Sequence, residues 1–501
     1  MEQIVRDFNS YMDEIRMYSQ LMGVAYFDAN TVAPNTGVAA RAKRDGFFSE
    51  KVFLMTTSDK MKGYLDELAP VADKLDDITR ARFKKAKKNF DKSTKIPSQL
   101  VKEFSELKSK ANVIWQEARK NDDFASFAPT LEQIVAKSKE AMEHRLEPGQ
   151  SIYNAMLDDY EEGMNMEIYD KFFAQVREVV VPLLKAVVGS SKKIDAGFMN
   201  SQVDKADQEK ISTFAAEKIG YDTARGLITE STHPFCSGTH KTDVRITTRY
   251  DERDFISSFY SILHECGHAI YEQSTCDTIA ETELSRGASM GIHESQSRFY
   301  ENVIGRSRGF WDYITKELKG YLPKSFDDVT SEQFYEAVNQ AGPSLIRVEA
   351  DELTYSLHIM IRYEIERMLF VDNLPVSELP RVWNEKYQEY LGITPPNNAL
   401  GVLQDIHWSM GAFGYFPTYA LGTAYASQFV SEMKKDLDFD GLIAKGDFAA
   451  ITAWMTDKIH RHGSMHSPGE ILEMVCGGGL DASHYTNYLK EKFEALYQVK
   501  V

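Results

Sequence analysis

Apolar residues return every three or four positions through most of this chain, and that rhythm commits it to a fold made chiefly of helices. The first instance is Ile4, Val5, Phe8, Tyr11, Met12 and Ile15, which share one face of an opening helix. Asp28 to Gly37, with Pro34, Asn35 and Gly37, reads as the connection to the next helix. The clearest strand signal is Thr242 to Tyr250, where Val244, Ile246 and Thr248 alternate with Asp243, Arg245 and Thr247, after a turn-like Cys236-Ser237-Gly238-Thr239. It predicts a small sheet that interrupts the helices. With no internal repeat and no Gly/Ser-rich linker, residues 1–501 read as one continuous helical body whose boundaries composition does not mark.

Charge narrows the range of partners. Lys and Arg number 58 and Asp and Glu 75, a formal balance of −17, which opposes binding to phosphate backbones or anionic membranes. Residues 78 to 95 hold the most basic tract, yet Ile78, Ala86 and Phe90 leave it a packed side, so it reads as a solvated helix face and not a nucleic-acid site. No apolar run approaches the roughly 20 residues needed to cross a bilayer. Acids at Glu2, Asp7, Asp13 and Glu14 are foreign to a secretory signal. Only four cysteines, none in Cys-x-x-Cys spacing, point to a reducing compartment and a cytoplasmic protein.

The segment with chemistry in it is Phe255 to Gln273. Phe255, Phe259, Ile262, Leu263, Cys266 and Ile270 recur at helical spacing, so His264 and His268, four apart in His264-Glu265-Cys266-Gly267-His268, project from one face. Two imidazoles so placed can hold one metal ion. Glu265, beside the first of them, can serve as general base toward a water at the metal without ligating it, which is the His-Glu-x-x-His pattern of zinc peptidases. Two histidines hydrogen-bonded at a helix surface would give the same five letters. Gly267 argues against that, because glycine inside a helix costs about 1 kcal/mol relative to alanine and implies close packing at the metal or against another helix. Cys266 should face away as a buried thiol.

A third ligand must come from elsewhere. Glu294 lies 26 residues beyond His268, enough to end one helix, turn through Thr275 to Arg286 and return on a second. His293 is the rival, but neighbours on a helix point about 100 degrees apart, so both cannot face the ion. Two His and one Glu leave a coordination position open, as a catalytic site requires.

Several separated motifs now stand together: His233-Pro234-Phe235, Asp243 to Thr247, the His264 to His268 pentad, His293-Glu294-Ser295-Gln296, Ile346-Arg347-Val348-Glu349-Ala350-Asp351, and Gly401 through Asp405 to His407-Trp408. In this order over about two hundred residues they resemble the Taq-type thermostable metallocarboxypeptidases, and the flanking chain is similar throughout. The resemblance implies a mainly α-helical, two-lobed body around a deep active-site groove, with the small sheet near the metal site. It implies His264, His268 and Glu294 as metal ligands, Glu265 as catalytic base, one zinc or sometimes cobalt ion per chain, and a homodimer. It also implies release of single residues, with broad specificity, from peptides with a free C-terminus.

The remaining motifs fit that chemistry. A terminal carboxylate matches the fork of a guanidinium, and Arg347, just past Gly342-Pro343 and ahead of Leu353, Leu357, Met360 and Ile361, is expected near a helix start. Arg245 is a second candidate for the substrate's charge, or else a bridge to Asp243 or Asp251. His407, Tyr415 and Tyr419 are close in sequence and can donate to an oxyanion or, for the tyrosines, simply pack in the core. His233 can contact substrate backbone. His460, His462 and His466 lack an Asp, Glu or Cys at matching spacing and read as a loop packed near the groove. Two alternatives stay open: a zinc oligopeptidase or dipeptidyl carboxypeptidase, and a helical binding protein with a vestigial metal site.

Overall fold

A computed structural model describes residues 1–501. It is helical almost throughout, with one three-stranded sheet, as the spacing of apolar residues predicts. The chain separates into two compact units, each assembled from three stretches of sequence. The first comprises Met1–Thr94, Ala196–Tyr335 and Glu432–Gly477; the second comprises Lys95–Asp195, Glu336–Ser431 and Gly478–Val501. No helix is long and apolar enough to cross a membrane.

In the first unit, α1 (Glu2–Thr31) buries Phe8, Tyr11, Met12 and Ile15, four of the six residues that its periodicity places on one face. A break at Pro34 and a 3-10 turn, Asn35–Gly37, lead into α2 (Val38–Thr56). Together with Met61, Leu65, Leu68, Phe83 and Ala86 the α1 face closes a local core. The basic tract forms α3 (Asp77–Thr94), and one of its cations departs from the solvated-face expectation. Arg82 is only 3% exposed and is paired with Asp13 at 2.7 Å and Glu283 at 3.0 Å, because its position faces α1 and not water.

The sheet consists of β1 (Gly226–Glu230), β2 (Cys236–His240) and β3 (Asp243–Thr248) in the order β1-β3-β2. β3 pairs parallel with β1 and antiparallel with β2, with an irregularity between Gly238 and His240. Val244 and Ile246, the inward residues of the alternating run, are fully buried, and the strand packs on α4 (Phe255–Gln273). Asp254 caps α4 by accepting from the Ser257 amide at 3.3 Å. The chain then turns through Cys276 to Ser289 and returns as α5 (Met290–Arg298), capped by Ser289 and continued by a π-helical turn, Phe299–Ile304. Helix, turn and returning helix follow the expectation drawn from the 26-residue spacing.

The second unit is held by aromatic packing. Phe173 and Tyr363 stack with centroids 5.0 Å apart, and Tyr153 stacks on Phe370 at 5.9 Å. Tyr363 and Phe370 belong to α6 (Tyr355–Phe370), which is buried on nearly every side. Here the sequence expectation for Arg347 needs correction. Arg347 is in a separate 3-10 turn, Arg347–Glu349, and α6 starts only at Tyr355, after Asp351 has capped the Thr354 amide at 3.0 Å. Its guanidinium is therefore set by ion pairing and not by a helix N-terminus.

Candidate metal centre and active site

Gly267 decides how α4 meets α5. A Cβ added there would lie 2.4 Å from the Gln296 carbonyl oxygen and 2.6 Å from the Ser297 Cα, so only glycine lets the two backbones approach so closely. That approach brings Glu294 to the imidazole pair. The Nε2 atoms of His264 and His268 each lie 3.6 Å from Glu294 Oε2, and the three prospective ligand atoms all lie within 4.8 Å of one another. Cys266, on the opposite side of α4, is fully buried.

The outer nitrogens of both imidazoles are engaged, which aims the inner ones. His264 Nδ1 meets Glu301 Oε2 at 2.8 Å. His268 Nδ1 meets His293 Nδ1 at 2.5 Å, and His293 Nε2 in turn meets Glu272 Oε1 at 3.2 Å. His293 thus turns to the back of His268 while its neighbour Glu294 faces both imidazoles. Glu294 itself is steadied: its Oε1 accepts from Arg298 Nε at 2.8 Å and its Oε2 from Ser297 Oγ at 3.0 Å.

Electrostatics complete the picture of a cation site. Burial works against a charge on His264, but the Glu294 and Glu301 carboxylates outweigh it and hold the imidazole up at about 9. Burial, with His293 and His264 adding to it, pushes His268 well down. Burial pushes Glu265 up to about 7, while Glu301 stays well below the usual carboxylate range because Arg298 and His264 overcome its burial. Two imidazole nitrogens and a carboxylate oxygen, backed by further acid groups, form the donor set that suits zinc and similar ions. The residues present therefore fit a divalent cation.

Neither Glu301 nor Glu272 was foreseen as part of the site. A signal existed: Arg298 and Glu301 follow Glu294 by four and seven positions, and Glu272 follows His268 by four, all on shared helix faces.

The second unit gathers Arg347, His407, Tyr415 and Tyr419. Arg347, 6% exposed, donates from Nε at 3.0 Å and from Nη2 at 2.9 Å to Asp405 Oδ1, and Nη1 lies 3.4 Å from the Tyr355 hydroxyl. Arg362, fully buried, donates to the other Asp405 oxygen at 2.7 Å. His407 Nε2 and the Tyr419 hydroxyl are 3.2 Å apart, and the Tyr415 ring is 5.4 Å from His407 and 5.1 Å from Tyr419. Burial pushes His407 down to about 4, with the two arginines reinforcing and Asp405 opposing, so the ring is neutral near pH 7. Its Nδ1 is buried without a hydrogen-bond partner.

Arg245 and His233 belong to the sheet region. Arg245 is committed to Asp243 through two bonds of 2.7 and 2.8 Å and lies over the Phe27 ring, as a structural bridge would. His233 is exposed, and its carbonyl accepts from Ser231 Oγ at 2.6 Å. Of the late histidines, His460 is buried with Nε2 at 2.8 Å from Gln296 Oε1, and the His462 and His466 rings lie 5.2 Å apart, the packed loop that their spacing suggests.

A helical body in which one helix presents two imidazoles, a returning helix supplies a carboxylate and a buried glutamate adjoins the first imidazole is that of a metallopeptidase. Residues 7–493 match the carboxypeptidase Taq (M32) metallopeptidase family. Carboxypeptidase 1 of Bacillus subtilis is 42% identical over 496 residues, 98% of each chain, and thermostable carboxypeptidase 1 of Thermus thermophilus is 35% identical over 508 residues, 99% of each chain. The crystal structure of the M32 carboxypeptidase from Deinococcus radiodurans superposes with a TM-score of 0.94 at 32% identity, covering 99% of this chain and all of that one. The chain belongs to the carboxypeptidase Taq (M32) metallopeptidase family.

Proposed function

We propose that this protein removes single amino acids, with broad specificity, from the free C-termini of peptides, and that residues 1–501 work as one catalytic domain. The observation that carries the reading is the convergence of His264, His268 and Glu294, with buried Glu265 beside them, in a member of this family. Those three side chains would hold one divalent ion, zinc or alternatively cobalt. When bound, such an ion polarises the scissile carbonyl and acidifies water.

The chain's own groups supply the rest. Glu265 removes the proton from the attacking water and delivers it to the leaving amine, a task suited to a carboxyl pushed up to about 7 by burial. Arg347 receives the terminal carboxylate. Two guanidinium groups share one carboxylate at Asp405, which fixes the Arg347 fork in a water-poor place. His407 and Tyr415 donate toward the oxygen that gains charge, a role worth about 3 kcal/mol per donor, and Tyr419 holds the His407 ring. Arg245 and His233 border the substrate's path. We assign a homodimer on the family resemblance alone, and the cytoplasm as its setting, in keeping with only four cysteines, none in Cys-x-x-Cys spacing.

The test is mass spectrometry of the products from one unblocked peptide, with and without a chelator. We expect a ladder of products each one residue shorter, abolished by chelation. Release of dipeptides or internal fragments would instead make this an oligopeptidase, and hydrolysis indifferent to the chelator would leave the metal centre without a role.

A further inference from the structure

Glu366 is a fully buried carboxylate on α6 that takes no part in the reaction described above. Its surroundings are unusual in what they join. The Trp408 indole Nε1 donates to Glu366 Oε1 at 2.9 Å, while the Gly414 backbone amide and the Tyr153 hydroxyl donate to Oε2 at 2.8 and 3.0 Å. Trp408 directly follows His407, and Gly414 directly precedes Tyr415. One side chain therefore holds both ends of the segment between the two proposed oxyanion donors.

That segment has little regular structure of its own to fix its shape. It begins in a 3-10 turn, His407–Met410, and passes through Gly411 and Gly414 at φ of 66° and 88°. At Gly414 an added Cβ would stand 2.7 Å from the Met156 carbonyl oxygen. Four residues earlier on α6, Arg362 holds the preceding stretch through Asp405 at 2.7 Å and Gln404 at 2.8 Å, and four residues after Glu366 the Phe370 ring meets Phe413 at 4.7 Å. Arg362, Glu366 and Phe370 thus form one face of α6 against which residues 404–414 are seated.

A carboxylate deep in a core is costly unless its bonds are worth having, and an apolar side chain would fill the same volume at less expense. What an apolar residue cannot do is bind two points six residues apart. We propose that Glu366 is a positioning residue whose carboxylate spans Trp408 and Gly414 and so fixes His407 and Tyr415 relative to each other and to Arg347. This inference rests on the proposed roles of His407 and Tyr415. Arg347 is held by Asp405 and not by Glu366, so terminal-carboxylate recognition and oxyanion stabilisation are separable.

The experiment compares steady-state kinetics of the metal-loaded parent with Glu366→Gln, Glu366→Gln/Trp408→Phe, Tyr153→Phe and Tyr415→Phe. In Glu366→Gln the amide oxygen can accept from Gly414 and Tyr153 only if its NH2 faces the indole N–H, donor against donor. We expect kcat to fall about 10- to 100-fold, the scale of a small misplacement of catalytic groups, with KM within about twofold. Adding Trp408→Phe removes the opposed donor and should raise kcat at least about fivefold over Glu366→Gln alone, a rescue that a merely structural role would not produce. Should Glu366→Gln fail to fold, Tyr153→Phe loosens the same carboxylate and should lower kcat a few-fold at unchanged KM. Unaltered kcat in the variants at 366 and 153, or a double variant no better than Glu366→Gln, overturns the proposal. If Tyr415→Phe alone loses turnover, only the clamp has failed; if Tyr415→Phe is also fully active, the assignment of the oxyanion donors has failed with it.

Discussion

Glu265 and His264 are adjacent in sequence but do different work in this reading, one moving a proton and the other holding an ion. Glu265→Gln should keep one metal per chain by elemental analysis while kcat falls about 10²- to 10⁴-fold; a variant that keeps most of its turnover would remove Glu265 from the mechanism. Asp405 supports a second prediction. Burial raises its carboxyl, but Arg362 and Arg347 more than offset this and hold it well below the usual range. A depressed folded value means that its stabilisation is present above the unfolded value near pH 3.9 and is lost as pH falls through the folded one. Asp405→Asn should therefore cost about 3–5 kcal/mol at pH 7, since it strands two buried guanidinium groups. That gap should shrink by about 1 kcal/mol at pH 3, as denaturant unfolding would record. A gap that does not change with pH would place the stabilisation elsewhere. The pentad was legible residue by residue because spacing on a helix encodes direction, whereas Glu294 was chosen over its neighbour His293 with the help of the family resemblance. The partners behind them were less legible: Glu301 and Glu272 lay unmarked on shared helix faces, and His293, which the sequence offers as a rival ligand, instead backs His268.

At the scale of elements, the site is a contact between two helices. Gly267 was legible as a close approach, because glycine in a helix interior needs a reason, but which surface approached it was not. The answer is the backbone of Gln296 and Ser297. Gly267→Ala should push α5 away and cost about 1–3 kcal/mol of stability by overpacking. The same shift carries Glu294 away from the imidazoles, so metal affinity measured by chelator competition should fall as well. Loss of stability with unchanged affinity would mean that α5 rotates and does not retreat. The strand at Asp243–Thr248 and the turn into α5 followed local pattern closely. Arg347 did not: apolar spacing after Leu353 marks where α6 packs, while the residues before it follow caps and ion pairs that periodicity does not report.

For the whole molecule, an ion held by α4 and α5 binds the folded chain and not the unfolded one, so it should stabilise the protein by mass action. Zinc added to chelator-treated protein at a hundred times its dissociation constant should contribute about 2.7 kcal/mol, seen as a rise in melting temperature alongside recovered hydrolysis. Melting that ignores the metal would argue that the three ligands do not share an ion. The sequence by itself determined the helical class, the position of the sheet and the imidazole pair, because each is written in spacings along a continuous stretch; it left Glu294 and His293 as rivals for the third place, a choice that the family resemblance made and that the structure matches by turning Glu294 toward both imidazoles. Only the tertiary structure decided that each compact unit is built from three separated stretches, that Glu301 and His293 orient the imidazoles, and that α6 seats the segment from Gln404 to Gly414. Those features depend on which distant surfaces bury one another, and burial is a property of the assembled chain.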